Sequence, residues 1–109
     1  MITDEQMRER LQAAKPYTIV LLHKTEKAGE PGGDKIVWEH GRRNFELGEK
    51  GSLAIVCPVR DASDFSGVCI FTTTEEETRT IMDGDPGVQT GLFTYEIHPT
   101  RSFPGSRLP

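Results

Sequence analysis

Four short apolar runs, separated by polar stretches with helical spacing, carry most of what this chain can bury. Tyr17 to Lys24 is β-branched and aliphatic at nearly every position, which predicts a central strand covered on both faces for much of its length. Leu53 to Val59 and Gly67 to Thr73 predict a second and a third strand, joined as a hairpin by the polar segment Arg60 to Ser66. Gly91 to His98 alternates Phe93, Tyr95 and Ile97 with Thr94, Glu96 and His98, the period of a strand with one wetter face. Between the first two runs, Val37, Trp38, Phe45 and Leu47 mark a helix that starts near Asp34 as its cap and stops at Gly51. Gly41 and Gly48 weaken that helix by about 1 kcal/mol each relative to alanine, so tertiary packing is needed to hold it.

Thr74-Glu75-Glu76-Glu77 reads as a capping box with three carboxylates in the first turn of another helix, which ends near Gly84 before Pro86. A similar box, Thr3-Asp4-Glu5-Gln6, predicts a leading helix through Ala14, stopped by Pro16. Thr25 to Gly33 has almost nothing to bury and predicts a mobile loop, and the tail after Pro99 reads as irregular. Three segments follow: a helical extension over 1–16, a domain over 17–99 and a tail over 100–109. Without the extension the order is strand, helix, strand, strand, helix, strand, the split βαβ arrangement of a ferredoxin-like α+β domain with both helices on one face of an antiparallel sheet. Strands apolar on both sides leave the other face uncovered, and a second copy of the chain is its expected cover, which would close a dimeric α/β barrel.

Composition narrows the partners. The 109 residues suffice for one core, and 17 acidic against 13 basic side chains leave a net charge of -4 with no basic, aromatic-interleaved patch for nucleic acid. No run is long and apolar enough to span a bilayer, and the charged N-terminus lacks the apolar core of a signal peptide, so a cytoplasmic protein is expected. Cys57 and Cys69 lie inside strand-like runs and read as reduced, buried thiols. The histidines and cysteines show no HxxH, HxxxH or CxxC spacing, and there is neither a phosphate loop nor a GxSxG elbow. The expectation is therefore no metal and no cofactor.

The candidate chemistry rests on His40, within the first long helix, and Asp85, before Pro86 at a helix-to-strand junction. Imidazole titrates near neutrality, and a carboxylate that orients it completes the smallest proton-shuttling set. Each residue also has an ordinary reading, a helix histidine with a local hydrogen bond and an aspartate closing an Asx turn. Arg43, one turn from His40, is a secondary candidate for binding substrate through two-pronged pairing with an anion, and Asp61 in the hairpin loop reads from its position as solvated. Trp38 reads as a core or interface anchor.

The string WEHGRRNFELGEKGSLAIVCP, a polar loop containing Asp61, and then GVCIFTTTEEETRTIMDGDPGVQTGLFTYEIHP resemble the YCII-related family, the YciI-like and DGPF-type proteins, over Tyr17 to Pro99. The resemblance is carried by the helix histidine, the following Gly and Leu, Pro58, and the Asp-Pro-x-Val-x-x-Gly-Leu-Phe run from Asp85. It implies a ferredoxin-like fold, a dimeric barrel and a site centred on His40 and Asp85 near the dimer interface, and the spacing of Asp61 after Pro58 makes Asp61 a secondary candidate for binding substrate. Cys57 replaces the family's usual glycine, and Gly41 and Asn44 replace usual apolar residues, which implies a pocket of different shape and polarity. The expected function is a small cofactor-independent enzyme in which His40 transfers a proton on a small metabolite, as a lyase, an isomerase or, by analogy to relatives, a dehydrochlorinase. The rival expectation is a non-catalytic dimeric domain that binds a small ligand.

Overall fold

The computed structural model describes residues 1–109. Helix α1 (Asp4–Gln12) leads into strand β1 (Lys15–Lys24), a 3-10 turn (Glu26–Gly29) and helix α2 (Gly33–Glu49). The hairpin of β2 (Leu53–Pro58) and β3 (Phe65–Phe71) follows, then α3 (Glu75–Asp83), the short α4 (Pro86–Gln89) and β4 (Phe93–Ser102). The strands form one antiparallel sheet in the order β2-β3-β1-β4, which makes this a ferredoxin-like α+β fold.

Register decides which side chains meet the helices. Val20 pairs with both Cys69 and Ile97, and Cys69 with Val56, so these four share one face. On that face Val20, Leu22, Leu53, Cys69, Phe71 and Phe93 are buried beneath Leu47 of α2 and Met82 of α3. Thr78 is fully buried as well, and its hydroxyl bonds Thr74 O at 2.6 Å, so its polar atom is satisfied within the helix. The other face carries Ile19, Leu21, Ile55, Val68 and Ile70, all half-buried with no helix over them. Cys57, opposite Val68, lies on this second face and is exposed, whereas Cys69 is buried on the first. The expected pair of buried thiols is thus a single one, because adjacent register positions point to opposite sides of a pleated sheet.

Several boundaries differ from the sequence pattern. Pro16 lies within β1, where pairing with β3 begins only at Thr18, so its missing N–H leaves no ladder bond unmade on that side. β4 continues through Pro99 to Ser102 because it is an edge strand and proline is tolerated there. Residues 15–17 and 100–102 thereby form a two-stranded arm, and α1, which precedes it in the chain, has no buried residue. The radius of gyration, 16.0 Å against about 13 Å for a compact chain of this length, reflects that projection. The segment expected to be a loop contains the 3-10 turn, capped by the Thr25 side chain at Lys27 N.

Helix α2 starts earlier than its acidic residue suggests. Gly32, in the left-handed region at φ 87°, is its N-cap, and Asp34 falls in the first turn, where it complements the helix dipole. Trp38 and Phe45 are 69% and 75% exposed, so neither is a core residue. Leu47 is buried and Ile36 packs on the core, eleven positions apart on one stripe, which places Trp38 and Phe45 about half a turn away from it. His40 lies on the inward stripe.

Candidate functional site

The Asp85 backbone N–H donates to Met82 O at the end of α3, and the residue then becomes the N-cap of α4 with Pro86 at the first helical position. Its Oδ2 accepts hydrogen bonds from Gly87 N at 2.9 Å and Val88 N at 3.2 Å. Its Oδ1 lies 2.7 Å from Nδ1 of His40, so both carboxylate oxygens are engaged and the group is held at 1% exposure. A β-carbon at Gly87 would stand 2.3 Å from Phe93 Cδ2 and 3.0 Å from Asp85 Oδ2, which explains a glycine at the first N–H facing the carboxylate.

His40 is held from three sides. Asp85 takes Nδ1, the Phe93 ring lies beneath the imidazole with centroids 5.0 Å apart, and Asn44, one helical turn on, places Nδ2 3.3 Å from Nε2. A neutral ring that donates from Nδ1 to a carboxylate keeps a lone pair on Nε2, and that atom is the reactive one. The side chain is 14% exposed, opening into a cavity of about 240 Å³ between α2 and the β2–β3 hairpin. Leu22, Val56, Phe93 and Cys69 line it with apolar surface, and Ser66 and Asn44 add polar atoms. Burial pushes the Cys69 thiol up to about 12, so it lines the wall as a neutral group and not as a nucleophile.

The secondary candidates lie elsewhere. Arg43 Nη1 is 4.0 Å from Asp85 Oδ1 and its other nitrogen rests against Gly84, so it flanks the carboxylate from outside the cavity wall. Asp61 is exposed in the hairpin loop, where its Oδ1 accepts from Ser63 N at 2.9 Å and Ser63 Oγ at 2.5 Å. Those bonds, the hydroxyl's first, lower the carboxyl below its usual range, as in an Asx turn. The wall residues Ser66 and Cys69 were not singled out as site residues by the sequence; Asn44 was marked there only as a polar replacement bearing on the pocket, and its four-residue spacing from His40 signals proximity. Larger concavities, about 540 Å³ between α1 and the tail and about 600 Å³ along the outer side of α2, contain no histidine.

No known family model matches the chain, and no curated protein matches it. Among solved structures it is similar to 5-chloro-2-hydroxyhydroquinone dehydrochlorinase from Burkholderia phenoliruptrix AC1100, in complex with 2,5-dihydroxybenzoquinone. The two align with a TM-score of 0.53 over 75% of this chain and 90% of that one, at 14% identity. They share a fold. No helix here is long and apolar enough to cross a membrane.

Proposed function

We propose that this protein is a cofactor-independent enzyme in which His40 Nε2 removes or returns a proton on a small molecule held in the cavity beside it. The observation that carries the reading is the 2.7 Å contact between His40 Nδ1 and Asp85, combined with the cavity that Nε2 faces. Asp85 fixes the ring orientation and tautomer, and its negative charge stabilises the imidazolium formed when Nε2 takes a proton. Two backbone N–H groups hold that carboxylate in place before substrate arrives, so little reorganisation accompanies the transfer.

Lyase or isomerase chemistry follows: proton removal beside a carbonyl, or removal coupled to loss of a leaving group from the neighbouring carbon. The fold of the dehydrochlorinase supports the second form by analogy. The motif order from Trp38 to Pro99 supports placing the chain with the YCII-related proteins, and the uncovered apolar sheet face supports a homodimer.

The test is catalysed hydrogen exchange. Small cyclic ketones, lactones and hydroxylated rings are incubated with the protein in D2O, and deuterium uptake at acidic C–H positions is followed by NMR. The expected result is exchange of a subset above the buffer rate with wild type and its loss with His40→Ala. Exchange that is equal with wild type and His40→Ala, or absent across the panel, would remove the reading.

A further inference from the structure

The contact between Asn44 and His40 is polar on a wall whose only other polar side chain is Ser66, and it engages the one imidazole atom that the proposed chemistry needs. With the ring proton on Nδ1, facing Asp85, Nε2 is an acceptor and the Asn44 carboxamide presents an N–H to it. That carboxamide makes no other hydrogen bond. The cavity wall includes no carboxylate, ammonium or guanidinium group: Asp85 is sealed beneath the imidazole, and Arg43 and Asp61 lie outside. A carboxylate or phosphate entering it would lose hydration without gaining a fixed countercharge. The volume of about 240 Å³ falls below the roughly 300–1,000 Å³ of pockets that take drug-sized ligands, and suits a single ring with small substituents.

We infer, resting on the reading of His40 as a base, that the cavity selects an uncharged ring bearing an acidic hydroxyl, a phenol or an enol, and that Asn44 holds the hydroxyl oxygen. The hydroxyl enters between the carboxamide and the imidazole, where its oxygen accepts the Asn44 N–H and its hydrogen points at Nε2. In the transfer the O–H bond breaks, its electron pair stays on oxygen, and the proton forms an N–H bond at Nε2. Asp85 balances the new imidazolium, and the Asn44 N–H faces the oxyanion as its charge develops. The 3.3 Å contact of the free protein is the closed form of this arrangement, opened by a rotation of the Asn44 side chain.

Two ring compounds of matched size separate this from a structural role for Asn44. 4-Nitrophenol reports its own ionisation by visible absorbance, and 4-nitrobenzoate is its permanently charged counterpart. Wild type is expected to bind 4-nitrophenol and enrich the phenolate over free dye at the same pH, with 4-nitrobenzoate at least about tenfold weaker. Asn44→Leu and Asn44→Asp, the second keeping size but losing the donor, are each expected to weaken 4-nitrophenol about tenfold while circular dichroism stays that of wild type. No phenolate enrichment in wild type, equal binding of 4-nitrobenzoate, or unchanged binding in both variants would overturn the inference. Loss of enrichment in the Asn44 variants but not in His40→Ala would leave the ligand class standing and remove His40 as the base. The reverse pattern, loss in His40→Ala with both Asn44 variants unchanged, would overturn the inference by removing Asn44, while leaving His40 as the base.

Discussion

Nδ1 of His40 meets Oδ1 of Asp85 at 2.7 Å although 45 positions separate them in the chain. The contact requires α2 and the α3–α4 junction to lie side by side, and that follows from the ferredoxin-like order of elements. His40→Ala is expected to reduce turnover by about 100-fold or more on any substrate whose exchange or elimination it catalyses. Asp85→Asn is expected to lower kcat as well, because an amide can present an N–H to Nδ1 and favour the wrong tautomer. Steady-state kinetics with circular dichroism on the same samples checks both; full turnover in both variants would move the chemistry to other residues.

The junction also fixes a stability prediction. Gly87→Ala places a carbon 2.3 Å from the ring of Phe93 and 3.0 Å from Asp85 Oδ2. Overpacking of a buried position costs about 1–3 kcal/mol, and here the ring that must move also supports His40. A lowered Tm together with lost His40 activity is the expected result. An unchanged Tm would mean that Phe93 relaxes freely.

A pH effect on stability is expected from the uncovered sheet face. His23 Nε2 lies 2.6 Å from Glu96 and Nδ1 lies 3.3 Å from Asp64, while His98 Nε2 is 3.6 Å from the other Glu96 oxygen. The hydrogen bond to Glu96, reinforced by Asp64, raises His23 above its ordinary 6.5, and the same bond lowers Glu96 below 4.5. The His23 contribution is therefore full below pH 6.5 and lost as pH rises through its raised value. The Glu96 contribution is full above pH 4.5 and lost as pH falls through its lowered value. Thermal melts across this range should show the cluster's contribution greatest between these limits, and His23→Gln should flatten the profile.

Ile19, Leu21, Val68 and Ile70 lead to an assembly prediction. Their face has no helix over it, and a dimer that buries it is expected to dissociate when a charge is placed at its centre. Leu21→Lys should shift sedimentation from dimer to monomer with the secondary structure intact. A wild-type monomer at micromolar concentration would contradict the proposal.

Much of this architecture was legible because register and capping are local. The capping boxes at Thr3 and Thr74 form with both reciprocal bonds, and the β2–β3 hairpin closes across the polar segment that marked it. Helix phase was not legible around Trp38 and Phe45, whose size suggested burial. Only the three-dimensional position of the sheet selects the stripe of Ile36, His40 and Leu47 instead. The α4 turn was hidden because four residues after Asp85-Pro86 carry no periodicity, yet it supplies the two N–H groups that hold the carboxylate. Cys69 reaches the cavity through tertiary placement and carries no motif by which sequence alone would select it, whereas Asn44 was legible as a polar replacement one helical turn from His40.

The two thiols, one position out of register on neighbouring strands, give the molecule a built-in reporter for each side of its sheet. Alkylation of Cys57 reads whether the uncovered face is accessible in solution. Cys69, whose thiol is pushed up to about 12 by burial, reacts only when the cavity wall opens, so its rate follows breathing of the site and slows when a ligand fills it. A single labelling time course, read peptide by peptide, thus records assembly and occupancy as independent clocks in the unmodified chain.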